Sequence, residues 1–380
     1  MNFDLTPDQK LLESTVVSFV KKESPISRKR ALREDALGYT KEFWRQMAEL
    51  GWIGLAFPES VGGFGGSFVD VAILLESFGS TLLPEPFVPS LLSGMAILRA
   101  GTAEQHEALL SPLMAGDTTL ALAWAERGSR FDCSWVETKA SPSGDGYLLS
   151  GEKVFVDNGH AADFIVVSAR TSGKPGDADG ISLFVLPRDA QGVRIQSIKT
   201  MDGLHAANIH LEGAFVPASS RLGAEGTAAP VLDELMDMGA AAACAEGLGV
   251  MRTALGMTLD YLRTREQFGV KIGTFQVLQH RAVDMFVKTE LAKSMSILAN
   301  IRVSDPDPAE RRAAVSAAKI ELSVCGRYVT QQSIQLHGGI GITDEHDIGL
   351  YFKRMHVLTT AFGDEEHHLA RYSSSPAFSL

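Results

Sequence analysis

Residues 359–372 read TTAFGDEEHHLARY, which places Asp364, Glu365 and Glu366 beside the adjacent His367 and His368. Carboxylates and imidazoles on one helical face permit three kinds of chemistry. They could ligate a metal ion, exchange a proton with a substrate, or cap a helix whose positive end the acidic residues oppose. A second stretch, YLRTREQFGVKIGTFQVLQ (261–279), gathers Arg263, Arg265 and Lys271 around a glycine. These cations suit a helix C-terminus with Gly269 as its cap. They suit equally a phosphate gripped by the planar donor fork of Arg265, with Gln267 and Phe268 beside it. A third stretch, QLHGGIG (335–341), is glycine-dense but lacks both a preceding strand and the G-x-G-x-x-G spacing. Its glycines are expected to turn a helix end sharply and to let a ligand or another chain approach the backbone.

The chain that must position these residues has 380 of them, enough for two or three cores. A net charge of −11 argues against nucleic acid and anionic membrane as partners. Cys133, Cys244 and Cys325 are odd in number and far apart, which suits a reducing compartment and no disulfide framework. The opening MNFDLTPDQK shows no basic segment followed by an apolar run, so no signal peptide is expected, and no apolar stretch is long enough to insert in a bilayer. These features lead us to expect a cytoplasmic, multidomain protein.

Thr6, Pro7 and Gln9 spell a capping box ahead of apolar residues at helical spacing. Further helical pattern at 41–50, 69–80 and 88–99 predicts an N-terminal helical domain over 1–116. From 117 to 226 the pattern changes to short β-branched and aliphatic runs such as TTLALAWAE, GYLLSGEKVFV and ISLFVLP, divided by turn-rich segments. No helix intervenes, which predicts an antiparallel barrel or sandwich. Helical pattern returns over 227–380. It includes one very long helix at 229–266 with the small-residue stretch GAAAACAEGLG, and another opened by Asp307, Pro308 and Glu310. The expected fold class is α+β: helices, a middle β-barrel, then a helical bundle.

The order R-x-Q-F-G … F-Q followed by Q-x-x-G-G-x-G resembles the acyl-CoA dehydrogenase family of flavoproteins. LGWIGLAFPESVGGFGGS, GYLLSGEKVFVDNG and LHGGIGITDEHDIGLYFKR resemble its other signatures, in the family's order and over nearly the whole chain. Within the family the look is that of the small subunit of pimeloyl-CoA dehydrogenase and related bacterial enzymes, which often pair with a larger homologous chain. The resemblance implies FAD as cofactor, an acyl-CoA substrate, electron-transfer flavoprotein as acceptor, and a homodimer or a homo- or heterotetramer. By the same resemblance Arg265 meets the FAD diphosphate, while Gln267, Phe268 and Gln276 meet its adenine side. Gln335 and Gly339 reach the cofactor of a neighbouring subunit. Phe155 and Asp157 stand where the family packs Trp-Ile-Thr on the flavin ring, and Ala125 and Phe131 stand where it has a threonine and a serine.

The resemblance also gives the opening stretch a meaning. The family's base is a glutamate followed by glycine, and here Phe362 precedes Gly363. Some relatives carry the base on the long helix, where this chain has Gly239. Two carboxylates remain as catalytic candidates. Glu246 lies on the face of Gly239, roughly 10 Å further along the helix; it either faces an acyl pocket as base or polar anchor, or is paired with an arginine of the bundle. Asp364 would serve only if its loop were shifted, and otherwise caps the last helix. A metal site is not expected, because the family uses none.

Overall fold

The structure, a computed structural model, describes residues 4–375. The chain opens with α1 (Pro7–Glu23), α2 (Ile26–Leu32), α3 (Lys41–Glu49), α4 (Phe68–Thr81) and α5 (Phe87–Ala100), then the short α6 (Ala103–Gln105) and α7 (Ser111–Met114). Strands follow: β1 (Leu120–Ala123), β2 (Lys139–Ser143), β3 (Gly146–Asp157), β4 (Phe164–Arg170), β5 (Ile181–Pro187), β6 (Val193–Lys199), β7 (His205–Pro217) and β8 (Arg221–Leu222). After α8 (Ala229–Thr264) comes a small hairpin of β9 (Glu266–Gln267) and β10 (Val270–Lys271). The chain closes with α9 (Gln276–Arg302), α10 (Pro308–His337), α11 (Ile348–Thr360) and α12 (Glu365–Ser373). The α, β, α order and the α+β class are those expected from the sequence patterns. Thr6 and Gln9 close the expected reciprocal box; the Asp307 carboxylate accepts from the Ala309 N–H at 2.8 Å, but the Asp307 N–H donates to Asp305 and not to Glu310, so no second box forms.

The contacts divide the chain into two compact units. One gathers the chain up to Ala31, Phe68–Leu83, and the chain from Gly239 onward. Its small-residue stretch 239–249 is wholly buried. A Cβ on Gly79 of α4 would run into the Glu246 carbonyl, and one on Gly249 of α8 into the Glu76 carbonyl. The two helices therefore cross backbone on backbone, a contact that only glycine permits at both points.

The other unit holds Leu32–Ser67 and Pro84–Met238. Its sheet runs β6-β7-β3-β2-β4-β5-β8, with β1 joined to β4. Most pairings are antiparallel as expected, whereas β1 runs parallel to β4. That strand lies against α5, whose Ser90 hydroxyl bonds the Leu120 backbone at both N–H and C=O. Tyr147, Leu149, Ile165, Val167, Phe184 and Ile209 fill the sheet's core. Between Lys153 and Val156 the β3–β7 register slips, and Phe155 there has φ +50°. A bulge of this kind re-aims a side chain, and Phe155 is accordingly 68 % exposed.

The backbone crossing of α4 and α8 makes a direct prediction. Gly249→Val should destabilise the fold by about 1–3 kcal/mol or more, because overpacking there can only be relieved by moving a helix. Thermal denaturation followed by circular dichroism would measure it; an unchanged midpoint would contradict the crossing.

Candidate functional site

A cleft of about 420 Å³ is lined by Tyr261, Arg265, Gln267, Gln335, His337 and Gly339, among others. Its first wall is the end of α8. The Arg265 N–H still donates to the Tyr261 carbonyl at 2.8 Å, and the Ile272 N–H then donates to the Arg265 carbonyl, turning the chain into the β9–β10 hairpin. Phe268 and Gly269 form its two-residue turn with φ of +57° and +79°, the arrangement of a type I′ hairpin. Gly269 is therefore a hairpin residue and not the helix cap expected for it. Lys271 does the capping, donating to the Thr264 carbonyl at 3.1 Å. The helix-capping reading holds for Lys271, and among the described residues nothing pairs with the Arg265 guanidinium, which lines the cleft.

The second wall is the end of α10. His337 is stacked on Tyr261 with ring centroids 4.6 Å apart, and its Nδ1–H donates to the Ser333 carbonyl. Burial lowers its pKa, so the ring is neutral. A Cβ on Gly338 or Gly339 would meet nothing within 4 Å, so the backbone there lies open to a ligand. Gln276 begins α9 and Phe268 stands 92 % exposed at the hairpin tip; neither lines the cleft. An always-charged fork without a competing carboxylate, two neutral amides and open glycine backbone fit the diphosphate of a dinucleotide.

Phe155 and Asp157 lie on β3 of the sheet-bearing unit. The segment that includes Ala125 is tied beneath that strand by a buried ion pair. The Glu126 carboxylate accepts from Lys153 Nζ at 2.7 Å and from the backbone N–H groups of Glu137 and Thr138. Burial pulls the Lys153 ammonium down to about 8 although Glu126 opposes it. The Val154 N–H reaches the Ala125 carbonyl at 2.9 Å, so backbone holds this segment to β3.

The two positions where the sequence lacks a base meet in space. The Phe362 ring lies on Gly239 so closely that a Cβ at 239 would come within 2.5 Å of it. Phe362 has φ +56°, an uncommon conformation for an aromatic residue, and buried groups hold it there. Lys319, fully buried, donates to the Leu358 carbonyl at 2.8 Å and the Gly363 carbonyl at 3.0 Å. His368 contacts the Phe362 carbonyl through Nε2 at 3.1 Å and the Ser316 hydroxyl through Nδ1 at 3.2 Å. The carbonyl requires the proton on Nε2, which leaves Nδ1 to accept from Ser316. Burial, with Lys319 adding to it, pushes His368 down to about 2. Asp364 caps α12, its carboxylate accepting from the His367 N–H at 2.9 Å.

Glu246 is 6 % exposed, and both its oxygens are taken by Arg354, from Nε at 2.6 Å and from an Nη at 2.8 Å. Of the two readings of Glu246, the arginine pair is the one present in this structure. Sequence reasoning missed Arg354, Lys319 and Ser316. A lysine flanked by Val315, Ala318 and Leu322 was the available signal for Lys319, since a core face rarely carries an ammonium without a task.

Comparison with known proteins agrees with the architecture. Family models match in order: acyl-CoA dehydrogenase, N-terminal domain over residues 6–117, middle domain over 121–214 and C-terminal domain over 229–374. The chain is 30% identical to the probable acyl-CoA dehydrogenase YngJ of Bacillus subtilis over 377 residues, covering 96% of this chain and 97% of that one. Among solved structures, the ChsE4-ChsE5 complex from Mycobacterium tuberculosis matches at 27% identity with a TM-score of 0.90, covering 100% of both chains. A structure titled for the electron transferring flavoprotein of Acidaminococcus fermentans matches at 28% identity and a TM-score of 0.89, covering 98% of each chain. This chain belongs to the acyl-CoA dehydrogenase family, with that family's three-domain fold. The family consists of flavoprotein oxidoreductases acting on acyl-CoA, with FAD as cofactor. No helix among the described residues is long and apolar enough to cross a membrane.

Two measurements check the geometry around Phe362. Gly239→Ala should destabilise the natural chain yet be tolerated beside Phe362→Ala, a coupling visible in a double-mutant cycle by denaturant unfolding. His368 has a lower pKa folded than unfolded, so the unfolded state takes up more protons below about pH 6.5 and stability must fall as pH drops through that value. His368→Gln should flatten that part of the profile; an unchanged slope would contradict a buried neutral imidazole.

Proposed function

We propose that this chain is a subunit of an FAD-dependent acyl-CoA dehydrogenase that α,β-desaturates a CoA thioester to the enoyl-CoA and passes the electrons to an electron-transfer flavoprotein. We further propose that a homologous larger chain brings the catalytic carboxylate, as the likeness to the pimeloyl-CoA dehydrogenase small subunit suggests. The observation that carries this reading is the contact of Phe362 with Gly239. At neither position does this chain place a group that accepts a proton.

Dehydrogenation removes a proton from the α-carbon and a hydride from the β-carbon. Bound FAD supplies the hydride acceptor. This chain's part is to hold the cofactor: Arg265 takes the diphosphate, Gln267, Phe268 and Gln276 the adenine side, and Gln335 with Gly339 reach the cofactor of a neighbouring subunit. Phe155 offers an aromatic face to a flavin ring, with Asp157 beside it. The competing reading makes Glu246 or Asp364 the base. Glu246 would first have to give up both bonds from Arg354, and Asp364 would have to give up its helix cap.

Co-expression with a homologous larger chain tests the proposal. Thioester-dependent reduction of an electron-transfer flavoprotein is expected from the pair and to survive Glu246→Gln in this chain. Arg265→Ala should weaken FAD retention by about ten- to a hundredfold, read from flavin absorbance after gel filtration. Full turnover by this chain alone, abolished by Glu246→Gln, would contradict the division of labour.

A further inference from the structure

Two guanidiniums line the Arg265 cleft, not one. Arg281, in the second turn of α9, also lines it, and no aspartate or glutamate is among its lining residues. The chain as a whole carries a net charge of −11, so a pocket with two cations and no acid runs against its surroundings. The acids nearest in sequence are engaged elsewhere. Glu266 pairs with Lys271, Asp260 with Arg263 at 3.3 Å, and the Asp284 carboxylate accepts from the Tyr328 hydroxyl at 3.5 Å. His337 is neutral and adds no charge.

Arg281 is half-buried, and one of its Nη groups donates to the side-chain oxygen of Gln332 on α10 at 3.2 Å. A neutral amide holds the side chain in place and leaves its charge intact. Among the described residues no carboxylate pairs with Arg265 or Arg281. Two like charges on one cleft repel, and an anion bound there offsets the repulsion. The diphosphate of a dinucleotide carries one negative charge on each of its two phosphates, which matches two guanidiniums in number and sign.

We propose that Arg281 is a second cofactor-binding residue, taking one phosphate of the FAD diphosphate while Arg265 takes the other, with Gln332 as its positioning residue. This rests on the reading of the cleft as the cofactor's anchor. A single phosphate would leave one guanidinium unmatched, so the pair selects a dinucleotide over a mononucleotide.

Flavin fluorescence, followed as FAD is titrated into the FAD-depleted chain, tests the assignment. Arg281→Ala should raise the Kd about tenfold, and its loss should multiply with that of Arg265→Ala in the double variant. Gln332→Ala should weaken binding less, and should add nothing once Arg281 is alanine. Displacement of FAD by ADP-ribose and by AMP gives a second readout, since at neutral pH both carry nearly the same charge, on two phosphates and on one. ADP-ribose should compete better against the natural chain and lose that lead in Arg281→Ala. Where Arg281→Ala does not fold, Arg281→Gln and the two competitors on the natural chain decide. Equal competition by the two, or a double variant no weaker than Arg265→Ala, would overturn the role of Arg281. Weakening by Arg265→Ala alone would overturn it too and leave the cofactor's anchor in place, whereas no effect of either change would remove the anchor itself.

Discussion

An aromatic ring resting on bare backbone, Phe362 on Gly239, is the constraint around which the bundle's end is built. A phenylalanine with positive φ is held there only if its surroundings over-determine it. Lys319 and His368 do so by fixing the carbonyls of Leu358, Phe362 and Gly363 from α10 and α12. Asp364 then begins α12 directly after the turn. Those bonds need a lysine out of water beside a neutral histidine, and both pKa values are lowered accordingly.

The same contact accounts for how functional groups are distributed along the chain. Where the ring lies there is no room for a side chain at 239, so the two positions at which the family resemblance leads one to look for a base are closed together. Glu246, the carboxylate on α8 offered by the sequence as a base, is bound by Arg354 with both oxygens. By contrast the Arg265 guanidinium in its cleft stays uncommitted among the described residues, while Lys271 caps α8. On the proposed reading, in which Arg265 anchors the cofactor and Phe362 stands at the base position, the arrangement suits an assembly in which homologous chains divide the chemistry.

Much of this was legible in the sequence, for local reasons. The Thr6–Gln9 box and the Asp307 cap act between near neighbours, and the change from helical to strand spacing reflects burial of one face per element. Family membership was legible because four signatures stand in order. Phe362 and Gly239 could each be named as substitutions, yet nothing local says that they touch. Gly269 was misread as a cap because a helix C-cap and a type I′ turn demand the same positive φ. The bulge at Phe155 and the burial of Lys319 depend on partners distant in sequence, and so does the choice between the two fates of Glu246.

Proton exchange at the substrate's α-carbon reaches the central claim without requiring any electron acceptor. The FAD-loaded chain, alone in deuterated buffer with a saturated acyl-CoA, should leave the α-hydrogens unexchanged over the time in which a complete assembly exchanges them. Rapid deuterium incorporation by the lone chain, lost on Glu246→Gln, would show that it carries a working base and would contradict the account.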